Sequence, residues 1–263
     1  MPDRDRVYRT EGVVLRHSDF GEADRLLTVY TPYMGKVRLL AKGIRKPKSR
    51  KAGHLETFTC TQLLVARGRN LDLITQAETI EPYVALRRDL WRMSHAYYMA
   101  ELVDGFSKEQ SENRPLYDLL CDVLGWICCS VDLSLTMRFF ELRLLDLVGY
   151  RPRLFHCPRC STRLEPVTNF FSADEGGALC PRCGEGETAA MAISVGALKV
   201  MRYFQTHPYQ ECVGLQLTSR TRSDVEAVLH SYLVYLLERR LKSVEFLNML
   251  RRDGVSPGGT RPA

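Results

Sequence analysis

The sequence predicts an α+β multidomain protein: a small N-terminal OB-fold β-barrel, then an all-helical domain carrying an inserted four-cysteine zinc finger. Three observations predict this. Apolar residues alternate at period two until about residue 80 and recur at helical spacing afterwards. The formal charge of +6 on the 263 residues sits entirely in the first part: residues 1–80 hold 15 Lys+Arg against 9 Asp+Glu, and residues 81–263 hold 22 against 22. Two Cys-x-x-Cys pairs interrupt the helical pattern. The expected organisation is a barrel over 1–80, a helical domain in two parts over 81–152 and 191–250, a zinc finger over 153–190, and a polar Gly/Pro tail over 251–263 expected to be disordered.

Strands are expected over 8–17, 25–30, 36–42, 58–66 and 71–79. Asp19-Phe20-Gly21 and Thr31-Pro32-Tyr33-Met34-Gly35 supply turns, and Gly68 and Asn70 suit positive φ in a hairpin turn. Five short strands fit SH3-like or OB-type barrels. A basic strand and long loops favour the OB type, whose face takes single strands through cations and stacking aromatics. Tyr8, Phe20, Tyr30, Tyr33 and Phe58 are stacking candidates, most of them expected in the core. Helices are expected over 83–106, 114–129 (Pro115 in its first turn), 133–148 (closed by Gly149), 194–205 and 222–250, the last opened by a Ser223/Glu226 capping box. They are expected to pack as one bundle.

Hydrophobic content of 45% and charged content of 26% are those of an ordinary globular protein. No apolar run reaches membrane-spanning length, and MPDRDRVYRT has no apolar core for a signal peptide, so a cytoplasmic protein is expected. Nine cysteines in such a compartment read as metal ligands and buried thiols rather than disulfides. Cys60, Cys121, Cys128, Cys129 and Cys212 read as small buried hydrophobes. The histidines form no ligand pattern.

Residues 36–51, KVRLLAKGIRKPKSRK, hold eight cations and no acid. In a strand, Val37, Leu39 and Ala41 face one way and Lys36, Arg38 and Lys42 the other. Gly43 and Pro47 make the rest a loop, expected to be mobile and to contribute little to a core. Lys36, Arg38, Lys42, Arg45, Lys46, Lys48, Arg50 and Lys51 form a surface suited to a polyanion, because lysine and arginine release condensed counterions from phosphates. Arg67 and Arg69 extend the path. Arg87, Arg88, Arg138, Arg143, Arg220 and Arg222 are helical cations, most of them expected on solvated faces.

Cys157, Cys160, Cys180 and Cys183 form the strongest motif: two Cys-x-x-Cys pairs separated by nineteen residues. The spacing suits two knuckles that supply four thiolates to one tetrahedral Zn²⁺. Arg159, Arg163 and Arg182 would offset the resulting negative charge, and residues 167–172 suit a short strand. A closed shell of four cysteines has no open coordination position, so the zinc is structural. No P-loop, G-x-S-x-G, H-E-x-x-H, G-x-G-x-x-G or deaminase pattern occurs. A binding protein is therefore expected, with no catalytic residues.

Thr10-Glu11-Gly12-Val13-Val14-Leu15, Gly21-Glu22-Ala23-Asp24-Arg25-Leu26-Leu27-Thr28, Thr31-Pro32-Tyr33-Met34-Gly35, Ala41-Lys42-Gly43-Ile44-Arg45-Lys46-Pro47-Lys48-Ser49-Arg50 and residues 139–149 (FFELRLLDLVG) together resemble the bacterial RecO recombination mediators. The resemblance implies an N-terminal OB fold, a helical C-terminal domain with a zinc finger inserted in it, and a nucleoid-associated cytoplasmic protein of DNA repair. It implies binding of single- and double-stranded DNA, annealing of complementary strands, and joint action with RecR to load RecA on DNA coated by the single-stranded-DNA-binding protein (SSB), whose acidic C-terminal tail it docks. The rival reading is a zinc-containing protein–protein adaptor whose basic stretch is merely solvated.

Overall fold

The computed structural model describes residues 6–252. The chain forms two compact units, the first ending at Cys129 and the second beginning at Ser130. The expected 251–263 tail lies outside the described residues, except that Arg251 and Arg252 complete the last helix.

The first unit opens with β1 (Val7–Phe20), β2 (Asp24–Thr31), β3 (Gly35–Ala41), β4 (Cys60–Ala66) and β5 (Asp72–Glu81). They close into a barrel in the order β1-β2-β3-β5-β4, with β4 returning to β1. The only parallel pairing within it joins β3 to β5, at Leu39 with Asp72 and Leu40 with Leu73. A bulge between Val14 and Arg16 bends the long β1 around the barrel. Alternation in β3 is as expected: Val37, Leu39 and Ala41 are buried beside Leu27, Val29, Leu63, Val65 and Ile74. The β4–β5 turn follows a different rule from the expected one. Neither Gly68 nor Asn70 has positive φ. Gly68 is required because a Cβ there would lie 1.9 Å from the Leu71 carbonyl oxygen.

Helices α1 (Val84–Arg88), α2 (Leu90–Phe106) and α3 (Arg114–Cys129) belong to the same unit as the barrel. The helices expected in one bundle are thus split between the two units, these three grouping with the barrel. The helix expected over 83–106 is two helices. Asp89 adopts extended φ/ψ and its carboxylate accepts the Trp91 and Arg92 amides at 2.8 and 3.2 Å, an N-cap that starts a new helix inside an unbroken apolar pattern.

The second unit contains α4 (Leu133–Leu147), then the cysteine module with β6 (Asn169–Ser172), β7 (Gly177–Leu179), the short α5 (Pro181–Gly184) and β8 (Ala190–Ile193). The strands pair in the order β7-β6-β8. Helices α6 (Val195–Thr206), α7 (Tyr209–Cys212), α8 (Ser219–Leu237) and α9 (Lys242–Arg252) follow. Gly149 ends the α4 segment at φ +85°, as expected of a glycine C-cap. The single helix expected over 222–250 is broken: Glu238 takes a left-handed conformation at φ 52° and ends α8. The cap of α8 is Thr218, which accepts the Thr221 amide at 3.2 Å. Ser223 and Glu226 thus lie inside the helix, and Glu226 pairs instead with Arg251 of α9 at 2.8 Å.

Candidate nucleic-acid interface and metal centre

The basic stretch is better anchored than its composition suggests. Ile44 and Leu55 are in the barrel core, so an apolar residue holds each end of the loop. The Gly43 amide donates to Asp24 Oδ1 at 2.7 Å, and the Arg45 amide to the Ala23 carbonyl at 2.9 Å. Arg45 also pairs with Asp19 at 3.4 Å. These contacts latch the loop to the β1–β2 turn. Successive turns follow, with the Lys46 amide on the Gly43 carbonyl and the Ser49 amide on the Lys46 carbonyl. The expectation of a mobile loop outside the core is corrected accordingly.

The eight cations then divide into three groups. Lys36 Nζ donates to the Asp104 carbonyl at 2.7 Å and to its Oδ1 at 2.9 Å, and its side chain is only 12% exposed. Lys51 Nζ donates to the Ile74 carbonyl at 2.9 Å, and burial pushes its ammonium pKa down against the opposing pull of Asp24. Arg45 is half-engaged through Asp19. Arg38, Lys42, Lys46, Lys48 and Arg50 are exposed, and no ion pair holds any of them among the described residues. They are the cations with charge to offer an external phosphate. Arg67 and Arg69, in the β4–β5 turn, are also exposed.

Beside β3 lies a cleft of about 530 Å³ lined by Tyr8, Tyr33, Lys36, Arg38, Arg67, Asp72, Glu109 and Glu112, among others. An arginine lies over one face of each of these two tyrosine rings, although Tyr33 stays 60% exposed. Arg67 lies over Tyr8 at 5.0 Å and Arg114 over Tyr33 at 5.3 Å. Tyr8 donates its hydroxyl proton to Asp72 at 2.9 Å; burial first, then that bond, raises its pKa. Asp72, Glu109 and Glu112 offset Lys36, Arg38 and Arg67 in this lining, so the cleft carries no excess positive charge of the kind the loop offers. Of the other stacking candidates, Tyr30 and Phe58 are core residues and Phe20 is exposed at the β1–β2 turn, beside the latched loop.

Most helical cations are engaged within their own units. Arg87 bonds Thr57 and Thr59, Arg138 pairs with Glu141, Arg143 donates to the Gln205 carbonyl, and Arg222 pairs with Asp132. Arg88 and Arg220 are exposed. Sequence reasoning could not separate these groups, because most of the partners stand far away along the chain.

In the second unit the thiol groups of Cys157, Cys160, Cys180 and Cys183 all lie within 4.8 Å of one another. Cys160 and Cys180 Sγ are 3.6 Å apart. Bonds of about 2.3 Å to a tetrahedral centre place thiolates about 3.8 Å apart, so the donor set fits Zn²⁺. Two knuckles build the set. In the first, the Ser161 amide donates to the Cys157 carbonyl at 2.8 Å, with Ser161 at φ 59°. In the second, the Cys183 and Gly184 amides both donate to the Cys180 carbonyl, at 3.0 and 2.9 Å. Gly184 packs against Phe170, where a Cβ would stand 2.5 Å from that residue's own Cβ. Arg159 ties the module together, donating to Glu175 at 2.9 Å, Glu187 at 3.0 Å and the Cys183 carbonyl at 3.2 Å. The strand expected over 167–172 is β6; its partners β7 and β8 carry no signal in the sequence pattern. Among the five other cysteines, Cys60 and Cys212 are buried, Cys121 and Cys128 half-buried, and Cys129 is exposed, contrary to expectation.

No helix among the described residues is long and apolar enough to cross a membrane. The family profile described as Recombination protein O N terminal matches residues 6–83, and that described as Recombination protein O C terminal matches residues 87–245. The DNA repair protein RecO of Roseiflexus sp. (strain RS-1) is 44% identical over 249 residues, which cover 95% of this chain and 88% of that protein. DNA repair protein RecO of Pelotomaculum thermopropionicum is 36% identical over 98% of this chain and 99% of its own length. That of Dehalococcoides mccartyi (strain ATCC BAA-2266) is 34% identical over 94% and 98%.

Proposed function

The chain belongs to the RecO family of DNA repair and recombination proteins, and from that premise we propose that it is a non-enzymatic mediator. On this reading it binds single- and double-stranded DNA through the backbone and anneals complementary strands. With RecR, it helps to load RecA on DNA coated by SSB, whose acidic tail it docks. The observation that carries the DNA part is the set of five exposed cations without ion pairs among the described residues, Arg38, Lys42, Lys46, Lys48 and Arg50, on one strand and its following loop. Their charge is not consumed by the protein, so each can displace a counterion from a phosphate. Annealing then needs only that two neutralised strands approach; no covalent step is involved. Lys36 and Lys51 have their ammonium groups bonded inside the unit and serve chiefly to shape the surface.

The four-cysteine cluster holds one structural Zn²⁺, with all four protein ligands supplied by Cys157, Cys160, Cys180 and Cys183. Four thiolates leave no coordination position for a reacting water.

The test is fluorescence anisotropy on a labelled single-stranded oligonucleotide across a salt series. Five phosphate contacts give a slope of log K against log salt of about −3.5. A variant with Lys42, Lys46, Lys48 and Arg50 changed to Ala loses four contacts, and its slope should flatten by about 2.8. Identical slopes for the two proteins would move the DNA path elsewhere and favour the adaptor reading.

A further inference from the structure

The cleft beside β3 is not used by the phosphate contacts of the basic loop. Its lining comes from the barrel and from the connection between α2 and α3, all within the first unit. The Gln110 amide donates to the Lys36 carbonyl at 2.9 Å, and Glu109 pairs with Lys36 in a single parallel bridge. Gly35, at φ +57°, lets the connection come this close: a Cβ there would lie 2.0 Å from the Ser111 carbonyl oxygen. One wall is therefore built before any ligand arrives. Arg114 donates to the Tyr33 hydroxyl, so this exposed ring is oriented and still has surface to offer. Asp72 is occupied, accepting the Tyr8 hydroxyl at 2.9 Å and the Gly68 amide at 3.0 Å. Glu109 and Glu112 are exposed, and no ion pair holds either among the described residues. Arg38 lines the cleft and is also one of the cations available to a phosphate.

We propose that this cleft is a nucleobase subsite, which takes one unpaired base bearing an exocyclic amino group while Arg38 holds the adjoining backbone. The proposal rests on the DNA-binding reading and adds what backbone contacts lack, a means of telling a single strand from a duplex. An oriented, exposed aromatic ring beside a cation is a platform on which a base stacks. The cleft volume is that of a small-ligand site, which suits a base. Ionised carboxylates accept hydrogen bonds and donate none. Glu109 and Glu112 therefore repel a phosphate and attract the N–H donors of an amino group. Cytosine, adenine and guanine carry such a group, and thymine does not. In a duplex the bases stay stacked and paired, so a bound duplex leaves the cleft empty and is held by the cations alone.

The experiment is fluorescence anisotropy on the full chain with labelled probes of equal length: a dC strand, a dT strand, a strand of abasic sites and a mixed-sequence duplex. Among the single strands, the wild type is expected to bind dC most tightly. Tyr33→Ala should weaken dC binding about tenfold, the size of one lost stacking contact. The salt slope on dC should not change, because stacking releases no counterion. Affinity for the abasic strand and for the duplex should also stay as in the wild type. Tyr33→Phe keeps the ring and should bind dC as the wild type does. Glu109→Ala together with Glu112→Ala should abolish the preference for dC over dT. An unchanged dC affinity in Tyr33→Ala would overturn the proposal, as would an equal loss on the abasic strand. Equal wild-type affinities for dC and dT would overturn the amino-group assignment. The DNA-binding reading fails on a separate measurement. The abasic strand has phosphates and no bases, so a salt slope on it that survives the change of Lys42, Lys46, Lys48 and Arg50 to Ala removes the cations from the DNA path, whatever Tyr33→Ala does to dC.

Discussion

Lys36 and Lys48 belong to the same basic stretch, but the structure predicts opposite consequences for their removal. Lys36 Nζ makes two charge-assisted bonds to Asp104, whose side chain is 26% exposed. Lys36→Ala removes both and leaves Asp104 with Arg16 alone, at 3.7 Å. Hydrogen bonds to charged groups contribute about 1.5–3 kcal/mol each when buried. The partial exposure here and the surviving Arg16 reduce the total to about 2 kcal/mol. Lys48 is exposed and has no ion pair among the described residues, so Lys48→Ala should change stability by less than about 0.5 kcal/mol. Both tryptophans, Trp91 and Trp126, lie in the first unit, so their fluorescence in a urea titration reports that unit alone. Lys36→Ala should lower the urea midpoint and leave the salt slope of DNA binding unchanged. Lys48→Ala should leave the midpoint unchanged and flatten the slope by about 0.7. If Lys36→Ala flattens the slope as much as Lys48→Ala at an unchanged midpoint, the division of the cations into engaged and available groups is wrong.

On the proposal that the four cysteines hold a zinc, chelation or Cys157→Ser should remove the metal and expose residues around 157–190 to protease, since structural zinc supplies on the order of 10 kcal/mol of ordering. Trp fluorescence should not change, because the module lies in the other unit. Gly184→Ala should loosen the second knuckle, because the new methyl meets Phe170 at 2.5 Å; a lower zinc affinity in a competition titration checks this, and wild-type affinity would refute it. Burial works to raise the Glu226 carboxyl, but Arg138 and Arg251 outweigh it and hold the group below the usual carboxylate range. A depressed folded-state value means that Glu226 contributes stability above its unfolded value and loses it as pH falls through the lower folded value. Arg251→Ala should therefore raise the carboxyl's titration midpoint, as read by carboxyl NMR, and a midpoint that does not move counts against the pairing.

The features legible in the sequence are those set by short spacing. Val37, Leu39 and Ala41 announce the buried face of β3, and four cysteines at fixed separations announce the thiol cluster. What escapes depends on partners distant in the chain. Nothing near Lys36 signals Asp104, 68 residues later, and nothing near Lys51 signals the Ile74 carbonyl. The break at Asp89 is hidden because the apolar period continues on both sides of it, although an aspartate before a helical run is a capping signal. Ile44 is an overlooked clue: a lone β-branched apolar residue among cations has a reason to be there, and its reason is the barrel core.

The latch between the basic loop and the β1–β2 turn has a consequence for movement along a polymer. A loosely tethered loop would wrap each phosphate separately and lose chain freedom each time. A loop pinned at Gly43, Arg45 and Leu55 presents its charges at fixed separations. Nucleic-acid phosphates are evenly spaced, so such a comb finds an equivalent seat after every advance of one nucleotide. On the mediator reading, a strand held this way can creep under thermal motion without letting go. Two strands held side by side could then test one alignment after another until their bases match.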